Sequence, residues 1–397
     1  MLEHYKYMIV GGGLSADSAV RGIRSLDADG SIAMFCEESV PPYDHPPLSK
    51  SLWKGNPFEK IWRNSGALGV NVKLNDRVSS IHPGEKTIID YSGTLYSYEK
   101  LLLATGVSPR KLPFGQNLIN YYRTIDDYRL LKSQTETKDH FIVIGGGFIG
   151  SEIAAALTMN GKQVTIIFPE DGIASKIFTK PISNFINDYY RSKGVNVQNG
   201  ISIIDVSNDG DQVKVTTQDK TASSKVFEAD AVIAGIGTTP NSTLASDAGL
   251  TASNGIEVDG YLQTSSADIY SAGDVANYFD PVLNIRRRVE HEDNAIQMGL
   301  IAGKNMAGAN SKYVYLPYFY SDLFDIGYEA VGELDSRYEI VEDWFDPFKK
   351  GILYFLKDSI VRGVLLWNVW GKIDETRALI NVQASVTPES LKNKIHE

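Results

Sequence analysis

Tyr7-Met-Ile-Val-Gly-Gly-Gly-Leu-Ser-Ala16 and Phe141-Ile-Val-Ile-Gly-Gly-Gly-Phe-Ile-Gly150 are the stretches that decide the fold. Each is an apolar run of strand type, then a glycine turn, then a segment of helical type. In the first, Gly11 permits the tight turn and Gly13 lets the backbone approach a pyrophosphate. Ala16 takes the third position, where helix and strand pack closely. Leu14 and Ser15 open the helix, whose free N–H groups and partial positive charge suit phosphate. The second stretch offers Gly145, Gly147 and Gly150, with Phe148 and Ile149 opening its helix. One such match is weak; two in strand–turn–helix context predict two dinucleotide sites.

Reading outward, residues 15–26 form a helical pattern and 32–36 a second strand. Residues 140–144, 148–160 and 163–168 repeat this layout. Both are βαβ units, so parallel sheets with helices on their faces are expected. Leu101-Leu-Leu-Ala-Thr-Gly-Val-Ser-Pro109 and Ala231-Val-Ile-Ala-Gly-Ile-Gly-Thr-Thr-Pro240 close the two units as coarse duplicates. From about residue 313 the pattern changes to alternating strands at 340–344, 351–356 and 361–367. Helical patterns follow at 375–381 and 388–394, the last with Thr387 as N-cap and Pro388 at the first position. The fold class is α/β: two Rossmann-like dinucleotide-binding domains plus an α+β carboxy-terminal domain. The expected boundaries are 1–112 with 241–314, 113–240, and 315–397.

The 397 residues are 43% hydrophobic and 22% charged, the composition of an ordinary globular protein. No apolar stretch approaches the ~18 residues that span a bilayer. The first strand pattern starts near Tyr5, which leaves no room for a cleavable signal, so a cytoplasmic location is expected. A net charge of −10 argues against nucleic-acid binding. Arg286, Arg287 and Arg288 read as a solvated loop, or as a docking spot for an acidic partner or cofactor phosphates. The single cysteine, Cys36, rules out a redox pair and a cysteine metal site within this chain, and no metal is expected. It ends an apolar strand and reads as a buried structural thiol.

The first fingerprint needs an acid at the end of its second strand to hold ribose hydroxyls, and Glu37 and Glu38 stand there. The matching end in the second unit reads Phe168-Pro169-Glu170-Asp171. Phe168 takes the usual slot, so Glu170 is the ribose candidate. No arginine occupies that turn to pair with a 2′-phosphate, which favours NADH over NADPH.

Pro42-Tyr-Asp-His-Pro-Pro-Leu-Ser-Lys50 resembles the PYxRPPLSK segment of flavin-dependent ferredoxin and rubredoxin reductases and of apoptosis-inducing factor. Thr105-Gly-Val-Ser-Pro-Arg110, Ile269-Tyr-Ser-Ala-Gly-Asp-Val275 and Arg286-Arg-Arg-Val-Glu-His291 are similar to further motifs of that set. So are Phe319-Tyr-Ser-Asp322, Gly327-Tyr-Glu-Ala-Val-Gly332 and the run from Lys350 to Asn368. The resemblance spans essentially the whole chain. It implies FAD on the first fingerprint and NADH on the second. Lys50 would sit beside flavin N5 and O4, paired with Glu152. Asp274 would accept from the ribityl chain, although Asp274-Val-Ala also reads as a helix N-cap. Arg110 would meet the pyrophosphate. Glu290, His291 and Tyr320 fall to the flavin side, and Phe148 and Gly237 to the nicotinamide side. His291, near the start of a helical pattern over 289–308, joins Lys50 and Glu152 as a catalytic candidate.

Three positions depart from the family pattern. His45 replaces an arginine, Glu292 stands where ferredoxin reductases often carry tryptophan, and Tyr320 replaces the tryptophan of FWSD. The implied activity is hydride transfer from NADH to FAD N5, then electrons to a ferredoxin or rubredoxin. The alternatives are an NADH oxidase of the apoptosis-inducing-factor kind, or an NADH-sensing assembly protein. A homodimer through an exposed-strand face of the carboxy-terminal region fits the latter.

Overall fold

A computed structural model of the chain describes residues 2–396. Two compact units emerge. The first comprises the chain up to His45, Phe58–Ser108 and Thr239–Tyr318; the second comprises Pro46–Pro57, Pro109–Thr238 and the chain from Phe319 onward.

In the first unit the Glu3–Val10 strand lies between Ile32–Cys36 and Leu95–Leu103. Val70–Leu74 and Ile269–Ser271 extend this parallel layer at either side. The antiparallel strands Thr87–Asp90 and Val78–His82 continue it beyond Leu95–Leu103. Tyr7–Val10 and Ile32–Cys36 are buried at every position, as parallel strands covered on both faces must be. The crossover helix Leu14–Arg24 packs against the Glu292–Met306 helix at unusually short range. A Cβ on Gly299 would stand 2.3 Å from Ser15 O, and one on Gly303 2.0 Å from Ala19 O. Glycines at those positions let the two backbones touch.

The second unit carries a five-stranded parallel sheet in the order Asn196–Asn199, Gln163–Phe168, His140–Ile144, Ala231–Ala234, Ile119–Tyr121. A three-stranded antiparallel sheet, Ile201–Asp209, Gln212–Asp219 and Ser224–Ala229, packs beside it. The carboxy-terminal sheet is antiparallel, in the order Tyr318–Leu323, Ile326–Gly332, Ile360–Trp367, Lys350–Lys357, Glu339–Asp346. It contains two strands, Tyr318–Leu323 and Ile326–Gly332, that periodicity alone did not call. The expected exposed-strand face is absent from its centre. Ile352 through Leu356 and Val364 through Trp367 are buried without alternation. One cause is an aromatic layer over the sheet, in which Phe178, Tyr328 and Trp367 meet edge-on and stacked. Helix Ile373–Asn381 packs on Ile326–Gly332 and Ile360–Trp367. The last helix, Pro388–Leu391, ends sooner than its pattern suggests, after a capping box at Thr387. Among the described residues no helix is long and apolar enough to cross a membrane.

Candidate functional site

Each fingerprint folds into the same cradle within its own unit. Gly11 has φ +129° and Gly145 φ +109°, a region closed to most side chains. A Cβ would stand 2.1 Å from Ala104 O at Gly11 and 2.4 Å from Gly235 O at Gly145. The middle glycines rest on the last residue of the neighbouring strand. Gly12 lies over Cys36, with its Cβ position 2.6 Å from the sulfur, and Gly146 lies over the Phe168 ring at 2.8 Å. Cys36 and Phe168 are therefore equivalent positions. Phe168 is fully buried, and the first carboxylate after that strand is Glu170.

The third glycines behave differently. No described atom lies within 4 Å of a Cβ position on Gly147, and only His45 Cε1, at 3.9 Å, approaches that of Gly13. Both are N-cap residues of their helices, Leu14–Arg24 and Phe148–Met159, and neither helix has a side-chain cap. Open space over uncapped N–H groups fits a pyrophosphate, which would replace the missing cap. Gly150 serves packing: a Cβ there would meet Gly145 O at 1.9 Å. Ala16 is fully buried in the core beneath the first cradle. The Ser15 hydroxyl donates to Ala295 O at 3.0 Å, so its side chain ties the two helices together and leaves its backbone to the cradle. Leu14 is buried and Ile149 is exposed beside Gly235.

At the ribose ends, Glu37 is exposed, 3.3 Å from Arg77 Nη1. Glu38 is half-buried and accepts from Tyr43 OH at 2.8 Å. Burial, together with the Glu38 and Asp76 carboxylates, pushes the Cys36 thiol up to about 12, which makes it an inert packing residue. In the second unit Glu170 is half-exposed and lies 3.9 Å from Lys176 Nζ, a cation that the sequence reading overlooked.

Asp274 sits in the turn before the Ala276–Asp280 strand, so the N-cap reading of Asp274-Val-Ala fails: a strand follows where a helix was allowed. Its carbonyl accepts from Arg288 Nη1 at 2.7 Å. Arg286, Arg287 and Arg288 do not form a free loop: Arg286 is exposed, Arg287 and Arg288 are half-buried, and all three have partners within the chain. Arg286 Nη1 donates to Asn277 O at 2.7 Å, Arg287 pairs with Asp280 at 2.7 Å, and Arg288 pairs with Glu290 at 2.7 Å. They strap the hairpin of Ala276–Asp280 and Ile285–Arg287, whose antiparallel pairing brings the partners within reach. Glu290 is thus engaged by Arg288. His291 is the N-cap of the Glu292–Met306 helix, without a side-chain cap bond. Desolvation and the Arg287 charge pull its imidazole down to about 3, so it is neutral near pH 7. Arg110 is exposed, its Nε donating to Thr238 O at 2.9 Å beside Gly237, where φ is +96°.

The second unit gathers Lys50, Glu152, Phe148 and Tyr320. Glu152 lies on the first turns of the Phe148–Met159 helix and is 4% exposed. Lys50 Nζ is 2.7 Å from its Oε2 and 5.2 Å from the centre of the Tyr320 ring. The 3₁₀ turn Pro46–Leu48 leads directly into Ser49 and Lys50, and Tyr122 OH holds Leu48 O at 2.5 Å. Phe148 meets Phe319 edge-on at 5.3 Å. Sequence reasoning missed two members of this cluster. Ser49 Oγ donates to Glu152 Oε2 and Ser321 Oγ to Glu152 Oε1, both at 2.6 Å. Each lies inside a motif quoted above, but a serine alone carries no signal.

Residues 5–299 match the model of the family described as pyridine nucleotide-disulphide oxidoreductase. Residues 302–346 and 338–382 match that of the apoptosis-inducing factor, mitochondrion-associated, C-terminal domain. The chain is 34% identical to apoptosis-inducing factor 1, mitochondrial, of Dictyostelium discoideum, over 96% of this chain and 79% of that protein. It is 31% identical to monodehydroascorbate reductase of Solanum lycopersicum, over 100% and 98%. Among solved structures, the ferredoxin reductase of Rhodopseudomonas palustris superposes with a TM-score of 0.89 at 26% identity, over 98% of this chain and 97% of that one. With Cys36 as its single cysteine the chain cannot form a disulfide within itself, while both cradles suit the flavin and pyridine nucleotides of the family. The chain belongs to the pyridine nucleotide-disulphide oxidoreductase family, as an FAD-dependent oxidoreductase of the ferredoxin reductase and apoptosis-inducing factor type.

Proposed function

We propose that the protein is an NADH-dependent reductase that passes electrons to a small iron–sulfur or rubredoxin-type carrier protein. The observation that carries this reading is the ion pair between Lys50 and the buried Glu152, which lies on the helix that opens at the nicotinamide-type cradle. A bound flavin would supply the redox chemistry, taking a hydride from reduced nicotinamide, passing its two electrons singly to the acceptor and returning the proton to solvent.

The chain's own residues do the rest. Gly11, Gly13, Leu14, Ser15 and Ala16 would hold the flavin pyrophosphate on backbone N–H groups, with Glu37 and Glu38 on the ribose, Asp274 on the ribityl chain and Arg110 on phosphate. Gly145, Gly147, Ile149, Gly150 and Gly237 would cradle the nicotinamide dinucleotide. Phe148 would offer its ring face to the nicotinamide. Glu170 would accept from the 2′-hydroxyl; its carboxylate repels a 2′-phosphate, which supports NADH over NADPH despite the neighbouring Lys176. Lys50, held by Glu152 at 2.7 Å, would stabilise negative charge on the flavin ring. The neutral His291 and the helix N-terminus it caps would add a dipole without a full charge.

The monodehydroascorbate reductase and apoptosis-inducing factor similarities favour a second reading, with a small molecule or oxygen as acceptor, or with flavin reduction used as a signal. A cytoplasmic location and a homodimer belong to the proposal as well. The test is steady-state oxidation of NADH and of NADPH against ferredoxin, rubredoxin, a quinone and oxygen. Fast turnover with ferredoxin or rubredoxin supports the first reading. Slow turnover with every carrier, with a change in oligomer size on adding NADH, supports the second.

A further inference from the structure

Glu152 receives more than the lysine. Its Oε2 accepts from both Lys50 Nζ and Ser49 Oγ, and its Oε1 accepts from Ser321 Oγ. These groups come from three distant segments: the turn after Pro46–Leu48, the Phe148–Met159 helix and the Tyr318–Leu323 strand. Ser49 and Ser321 are buried, Ser321 to 1% exposure. A buried carboxylate is tolerated only when its oxygens are paired and hydrogen-bonded. A lysine alone does not fix it, because the ammonium is a point charge on a flexible stem with three rotatable donors. Two hydroxyls pinning opposite oxygens leave the carboxylate one orientation, and the lysine one direction of approach.

We propose that Ser49 and Ser321 are positioning residues that clamp Glu152, and through it fix the Lys50 ammonium for flavin reduction. Ser321 thereby makes the carboxy-terminal sheet part of the redox site. The proposal rests on the reading of Lys50 given above.

The experiment uses the full FAD-loaded chain, reduced anaerobically by NADH in a stopped-flow instrument, with the flavin potential and thermal melting measured in parallel. Ser321→Ala slows the flavin-reduction step by about tenfold, the scale of one lost hydrogen bond to a buried charge. The apparent NADH affinity stays constant, and Ser321→Thr restores most of the rate. In a Glu152→Gln background Ser321→Ala produces no further slowing, since its effect runs through that carboxylate. Ser49→Ala carries the same expectations and serves if Ser321→Ala fails to fold. The clamp is overturned if the serine variants reduce at the native rate, or slow equally in the Glu152→Gln background. Lys50→Met separates the two claims. A native rate in Lys50→Met overturns the Lys50 reading and the clamp together; a slow Lys50→Met beside native-rate serine variants overturns the clamp alone.

Discussion

Replacing Gly147 by alanine separates a binding glycine from a packing one. Gly147 has φ −82° and ψ −170°, which alanine adopts freely, and no described atom lies within 4 Å of the new methyl. Folding stability should change by less than about 1 kcal/mol, from a slightly poorer N-cap offset by a stiffer unfolded chain. The methyl projects about 1.5 Å into the space over the helix N-terminus. There it displaces a phosphate and breaks at least one charge-assisted hydrogen bond, a loss of about 1.5–3 kcal/mol. The NADH Kd should therefore rise by roughly 10- to 100-fold. Gly145→Ala provides the contrast: at φ +109° and 2.4 Å from Gly235 O, strain and overpacking together cost about 2–5 kcal/mol of stability. Equilibrium NADH titration and urea unfolding read both quantities. Native NADH affinity in Gly147→Ala would refute the cradle as the nucleotide site. Unfolding of Gly147→Ala to the extent of Gly145→Ala would refute the open space.

Further outcomes are expected. Glu152→Gln leaves the half-buried Lys50 ammonium without its counter-charge, so flavin reduction slows and stability drops by about 3 kcal/mol, read as a shift of roughly 6–12 °C in Tm for a unit of this size. His291 is held near 3 in the folded chain against about 6.5 unfolded, so the unfolded state alone takes up a proton between these values. Stability should fall as pH drops from about 6.5 toward 3, and His291→Gln should flatten that slope in melts recorded across the range. The Cys36 thiol, buried and pushed up to about 12, should resist a thiol reagent in the native chain and react fully in guanidinium.

The parts of the fold that were legible in sequence are those where one residue type answers one geometric demand. Gly11 and Gly145 need positive φ, and the apolar runs 7–10 and 141–144 need burial on both faces. The carboxy-terminal sheet was only half legible. Tyr318–Leu323 and Ile326–Gly332 mix polar and aromatic residues because their surroundings include the Glu152 cluster and an aromatic layer, and no simple period survives. The helices Ile125–Thr137 and Lys180–Ser192 went uncalled, although Thr124 and Asp127 form a capping box that marks the start of the first. The arginine run at 286–288 shows how a charge cluster misleads: its meaning lies in Asp280, Glu290 and backbone carbonyls that only the hairpin brings near. Ser49 and Ser321 were unreadable for a similar reason, since their partner lies 103 and 169 positions away.

The Lys50–Glu152 cluster and the two cradles have a function only if this chain uses a reduced nicotinamide to reduce a flavin. The most direct test is to mix the purified, flavin-loaded protein anaerobically with NADH and follow the visible flavin band. Full bleaching is expected, faster with NADH than with NADPH, with recovery of the band on adding an oxidised ferredoxin or rubredoxin. A folded protein that carries no flavin, or whose flavin band is untouched by either nucleotide, would contradict this reading.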